Sequence, residues 1–189
     1  MPDPGALSPG LLLGLHGKLP AHGDFVRRGL PSSFCGPWDA WLQAGLAAAM
    51  QQFGEAWPQV WLAAPAWRFA LPAGACGPGP VAGVMLASTD SVGRRFPLTL
   101  ACVGADSGAV AWPAEWFALL EGAALAGRDA RLDADALLAA MPRPALDAGE
   151  AIPEAGWWTA GTEEAPGLAW PLPALPEVVE FPLLLEPEA

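Results

Sequence analysis

His16, Lys18, His22, Asp24, Arg27 and Arg28 crowd into one stretch, His16-Gly17-Lys18-Leu19-Pro20-Ala21-His22-Gly23-Asp24-Phe25-Val26-Arg27-Arg28. It holds the chain's only lysine and both of its histidines, in an alanine-rich and apolar background. An imidazole beside a carboxylate can move a proton, and a lysine with two arginines can hold an anion. Each chemistry needs a further group. Zinc needs a third ligand at compatible spacing, and none stands out near His16 and His22. Nucleophilic catalysis needs a serine or cysteine in a recognisable turn with a base beside it, and the stretch contains neither. A structural or interface role is therefore the expectation for both histidines, with catalysis through His22 and Asp24 as the alternative.

A second polar cluster, Asp90, Arg94 and Arg95, sits in the segment 89–95. Two readings stay open for these arginines and for Arg27 and Arg28. One is an internal ion pair with Asp24 or Asp90 that holds a loop against a sheet. The other is a patch for an anion or phosphorylated residue. The internal pair is favoured because acidic partners are close in sequence. We expect the first loop to pack on the second through a network of Lys18, Asp24, Asp90, Arg94 and Arg95. Gly77-Pro78-Gly79-Pro80 is not a phosphate cradle, since proline removes the N–H groups that would bind phosphate. No metal and no cofactor are expected.

The elements that must position these groups follow from periodicity. Residues 11–19 predict a short buried strand leading into a loop marked by Leu-Pro and Gly-Asp. Trp38, Trp41, Leu42, Leu46, Ala49, Met50 and Phe53 share one helical face, with Pro37 in the first turn and Gly54 at the end. Segment 67–71 alternates, and 81–88 and 96–103 are nearly all apolar; the three predict an antiparallel meander. Trp116, Leu119, Leu120, Ala123, Ala124 and Gly127 predict a second helix. Asp133 caps a third, short helix that Pro142 stops. Residues 143–153 read as a linker, 156–160 as a strand, and 178–185 as either a strand or a helix broken by Pro182. In Trp157-Trp158 one ring must be core and the other must lie under a helix or face a partner. The order predicts an α/β fold, a sheet containing an antiparallel meander with helices packed on it.

The 189 residues fit one domain, 1–189, with 1–10 as a loose tail. Residues 1–100 carry six basic and five acidic side chains, whereas 101–189 carry three and fifteen. An acidic half argues against nucleic acid and against anionic membranes. No apolar run reaches the ~20 residues of a membrane-spanning helix, and the start lacks a secretory signal, so a cytoplasmic location is expected. Cys35, Cys76 and Cys102 are an odd, widely spaced set, expected to be buried and reduced. Ten tryptophans and no tyrosine is an unusual balance.

GLHGKLPAHGDFVRRGLP at 14–31, PWDAWLQAGL at 37–46, WRFAL at 67–71, CGP at 76–78, AGVMLASTDSVGRRFPLTL at 82–100 and WWT at 157–159 follow one another along the chain. Together they resemble the TagF (ImpM) family of type VI secretion-associated proteins. The resemblance implies a single αβα-layered domain in the cytoplasm of a Gram-negative bacterium. It implies a non-enzymatic accessory protein that represses secretion after translation, with the system's forkhead-associated scaffold protein as partner. It carries over no catalytic set. The alternatives are a small hydrolase or phosphatase-like enzyme using His22 and Asp24, or a structural scaffold of the secretion baseplate. Candidate contacts are Phe25, Arg27, Arg28 and whichever of Trp157 and Trp158 faces outward.

Overall fold

The computed structural model describes residues 10–147, 149–152, 154–161 and 166–186. The tail expected at 1–10 thus lies, apart from Gly10, outside the described residues. The strands are β1 (Leu11–Gly17), β2 (Val26–Arg28), β3 (Trp67–Leu71), β4 (Val81–Leu86), β5 (Leu98–Gly104), β6 (Gly156–Trp158) and β7 (Ala169–Trp170). They form one sheet in the order β2-β1-β5-β4-β3-β6-β7, antiparallel throughout. The expected meander, β3-β4-β5, is its centre. The helices are α1 (Ser32–Phe53), α2 (Trp57–Ala63), α3 (Ala114–Asp129) and α4 (Ala134–Ala140).

Alternation along the central strands sorts the core into two layers. Val81 and Met85 of β4 point to one side with Ala101 and Val103 of β5, where α1 and α2 lie. Ala82, Val84, Leu86, Leu98, Leu100 and Cys102 point to the other, where Trp116, Phe117 and Leu120 of α3 and Leu137 of α4 meet them. Both faces are covered, which is why these strands read as continuous apolar runs. This is the αβα layering expected from the resemblance.

Three local expectations are corrected. Helix α1 starts at Ser32, with Pro31 in extended backbone before it, so Pro37 lies in its second turn rather than its first. Proline gives up one helical hydrogen bond there, at a turn whose outer residues, Gly36 and Pro37, are exposed. Met50 is exposed, as is Leu119 on α3, where Phe117 takes the buried position. Residues 178–185 form neither strand nor helix but a turn followed by a 3₁₀ turn, Phe181–Leu184.

Residues 171–185 form a proline-rich strap whose 3₁₀ turn lies on α1, and the tryptophans hold it. The indole N–H groups of Trp41, Trp157 and Trp67 donate to the carbonyls of Pro176 (2.8 Å), Ala174 (2.9 Å) and Leu184 (2.6 Å). Trp116 does the same for Pro142, and Trp61 for Ser88. An irregular segment leaves backbone carbonyls without sheet or helix partners, and a buried one is costly unless paired. Indole is a donor without an acceptor, and it brings a large apolar ring with it. That is a physical reason for tryptophan at these positions. Phe181 closes the contact, seated on Gly45 of α1 and edge-on to Trp41 at 5.1 Å.

Candidate functional site

The loop 18–25 and the turn 88–96 meet at one end of the sheet, because β1 and β5 are paired along their whole length. The turn folds on Asp90. Its Oδ1 accepts from the backbone N–H of Val92 (3.1 Å) and Arg94 (2.9 Å), while Oδ2 accepts from Lys18 Nζ (2.7 Å) and Arg94 Nε (2.6 Å). Gly93, with φ of 85°, supplies the left-handed backbone this tight turn needs. The Asp90 side chain is buried. Burial alone would raise its pKa, but the bonds from Lys18, Arg94 and Val92 outweigh it and hold the carboxyl well below the usual carboxylate range.

Two more bonds join the segments. The Ser91 N–H donates to the His22 carbonyl (2.8 Å), and the Arg94 guanidinium donates to the Gly23 carbonyl. The chain's only lysine is thus a cross-link between loop and turn.

On its other flank the loop is tied to α4. His22 Nε2 accepts from the Ala134 N–H at 2.9 Å, and Asp133 Oδ1 accepts from Asp135 N–H and Ala136 N–H. Together they satisfy the first donors of the helix. Arg28 pairs with Asp135 at 2.8 Å. Because Nε2 already accepts a hydrogen bond, that nitrogen is not available to take a proton from a substrate.

The candidate residues therefore divide. Lys18, His22, Arg28, Asp90 and Arg94 hold the loop in place. Asp24 and Arg95, expected in the ion-pair network, make no ion pair or side-chain hydrogen bond among the described residues, and both are exposed. The loop turns back at Asp24 into β2, an edge strand that its polar composition hid from the sequence reading. Arg27 is exposed on that strand, directly across from His16. Phe25, 42% exposed, stands edge-on to His16 at 4.6 Å and to Phe96 at 5.2 Å.

The expected outward tryptophan is absent. Trp157 is buried against Trp38 and Phe69. Trp158 is half-buried and lies under α3, edge-on to Phe117 at 4.7 Å. It fills the under-a-helix option, and Phe25 is left as the exposed aromatic of the set.

Behind Phe25 opens a cleft of about 560 Å³ between the β1–β2 corner and α1. His16 lines it, 2% exposed, with Nδ1 unpartnered and Nε2 3.7 Å from Asp39 Oδ1. Burial is the main cause that lowers its pKa to about 4, with Arg27 adding and Asp39 opposing. His16 is thus a neutral imidazole at neutral pH. The sequence reading passed over Asp39 and the cleft, which only the seating of α1 beside β1 creates. Cys35, Cys76 and Cys102 are buried free thiols, all raised by burial, the last two to about 12. Among the described residues no group of three or more His, Cys, Asp or Glu is placed to hold a metal ion, and no helix is long and apolar enough to cross a membrane.

Residues 14–143 match the TagF N-terminal domain, described as type VI secretion system-associated. A solved structure, PA0076 from Pseudomonas aeruginosa PAO1, is similar over 94% of this chain and 95% of that one, with 30% identity and a TM-score of 0.74. No curated protein matches.

Proposed function

The chain belongs to the TagF family of type VI secretion-associated proteins, and on that premise we propose that it is a non-enzymatic accessory protein that restrains secretion after translation. It acts in the cytoplasm by binding the forkhead-associated scaffold protein of the system. The observation that carries this reading is the division of the loop. Its Lys18 and His22 side chains are occupied in holding the loop to the turn and to α4. Phe25 and Arg27 are left exposed on a rigid support. A preorganised aromatic beside an arginine is the composition of an interface anchor, since little entropy is lost when it docks.

The test pairs a binding assay against the forkhead-associated protein with thermal unfolding. Phe25→Ala should weaken binding by ~2 kcal/mol, about thirtyfold, and leave the domain folded with a modest drop in melting temperature from its lost contacts with His16 and Phe96. Undiminished binding by this variant would reject the surface. A wild-type protein that captures no secretion component, yet hydrolyses a phosphoester or peptide, would reject the function in favour of a hydrolase.

A further inference from the structure

We propose that the cleft behind Phe25 is a receptor for a single cationic side chain, an arginine or lysine presented by a protein partner. This rests on the reading that the chain acts by binding a protein, and it names what the partner must bring.

Four observations point to a cation. Two aromatic rings that line the cleft, Phe25 and Phe96, pack edge-on against one another at 5.2 Å and form one aromatic side to it. A ring face turned to the cleft attracts a guanidinium or ammonium through its negative quadrupole. Asp39, one-third exposed, supplies a carboxylate in the same cleft, oriented by a bond from the Gln43 amide. His16 lines the cleft as a neutral ring, so it sets no like charge against an incoming cation. Finally, the net charge of −11 draws basic partners towards the molecule as a whole, its excess lying in residues 101–189 while the cleft itself is built from residues 16–96.

Among the described residues that line the cleft, Arg27 is the one opposing group. It lies across the sheet edge from His16, where its effect on the imidazole is smaller than that of Asp39. Its sign makes the proposal decidable. A cation in the cleft should bind better without Arg27 and worse without the Asp39 charge. An anion should do the reverse.

The experiment is an NMR titration of the protein with N-acetyl-arginine-N-methylamide, and in parallel with the same probe carrying citrulline, its uncharged near-isostere. The arginine probe should shift the resonances of His16, Phe25 and Phe96 saturably, and citrulline should not. Asp39→Asn should weaken the arginine probe about tenfold, as expected for loss of a charged partner, while Arg27→Ala strengthens it. Both substitutions are at solvent-accessible positions, and unchanged melting temperatures verify the fold. No saturable shift, equal binding of citrulline, or the opposite response to the two substitutions would each overturn the proposal. Capture of the forkhead-associated scaffold separates this idea from the function above. Full capture by Asp39→Asn removes the cleft from the interface and leaves scaffold binding standing. Shifts from arginine in a wild type that captures no scaffold keep the cleft and remove the scaffold.

Discussion

Gly45 lies in the middle of α1, and the body of the Phe181 ring occupies the space where a side chain would begin. A Cβ there would fall 2.9 Å from Phe181 Cβ and closer still to the ring. Replacing glycine by alanine inside a helix is normally worth ~1 kcal/mol of stability. At Gly45 that gain competes with overpacking, which costs about 1–3 kcal/mol in a filled core. The contact is with the root of the phenyl group rather than a flexible tip, so overpacking should win by about 1–2 kcal/mol. For a chain of this size, that lowers the melting temperature by about 2–8 °C. Gly122 in α3 provides the internal control, because nothing lies within 4 Å of a Cβ built there. Gly122→Ala should raise stability by ~0.5–1 kcal/mol. Phe181→Ala alone should cost about 3–5 kcal/mol. In that background Gly45→Ala loses its clash and becomes stabilising, a coupling of roughly 2–3 kcal/mol between the two sites. Differential scanning calorimetry of the four variants measures all these terms. If Gly45→Ala melts at or above the wild type, Phe181 is not seated on α1 and the account of the strap is wrong.

Acidification should destabilise the protein in two stages, read by urea unfolding across pH. The folded His16 imidazole titrates at about 4 against an ordinary 6.5, so its contribution is full above pH 6.5 and is lost as the pH falls towards 4. The Asp90 carboxyl is held below its ordinary range, so its contribution is full above about pH 4 and is lost below it. Stability that is flat from pH 7 to 4.5 would contradict the first stage, and Asp90→Asn should remove the second. Trp157→Ala should cost ~3–5 kcal/mol in the same assay, because it empties a buried stack and frees the Ala174 carbonyl. Trp158→Ala, at a half-buried site, should cost less, and the reverse order would show that the two rings have been assigned to the wrong faces.

The central strands and helix faces were legible because each buries a regular stripe. Residues 81–86 and 98–104 are almost wholly apolar on both sides, as a sheet covered twice requires, while 67–71 alternates, with Trp67, Phe69 and Leu71 on one face and Arg68 paired to Glu121 on the other. The Asp133 cap was legible because a cap is a local matter of one side chain and the N–H groups two and three residues on. Strand β2 was not, because Val26–Arg28 is an edge paired on one side only, and its polar residues face solvent. The strap was not, because its carbonyls are satisfied by indoles as far as 135 residues away in sequence. At the candidate site, opposite charges identified Lys18, Asp90 and Arg94 as partners. Nothing local said that Asp24 and Arg95 would stay out of the network, since that depends on which way the loop leaves His22.

The two-layer core also decides what light can report about this molecule. With no tyrosine, its near-ultraviolet absorption and emission come almost wholly from tryptophan. Trp38, Trp41, Trp57, Trp61, Trp67, Trp157 and Trp170 belong to the α1 layer, and only Trp112, Trp116 and Trp158 to the α3 layer. An emission trace of unfolding is therefore weighted towards one side of the sheet, whereas backbone dichroism samples both. Coincidence of the two traces would mark the layers as one cooperative unit, and a gap between them would mean that one layer melts ahead of the other. Trp38 and Trp157 lie parallel within 3° at 6.1 Å, close enough for their transitions to couple. Trp41, 5.0 Å from Trp38 and 5.6 Å from Trp157, couples with both, so near-ultraviolet dichroism reads the junction of α1 and β6 together with the Trp57–Trp61 and Trp112–Trp116 pairs.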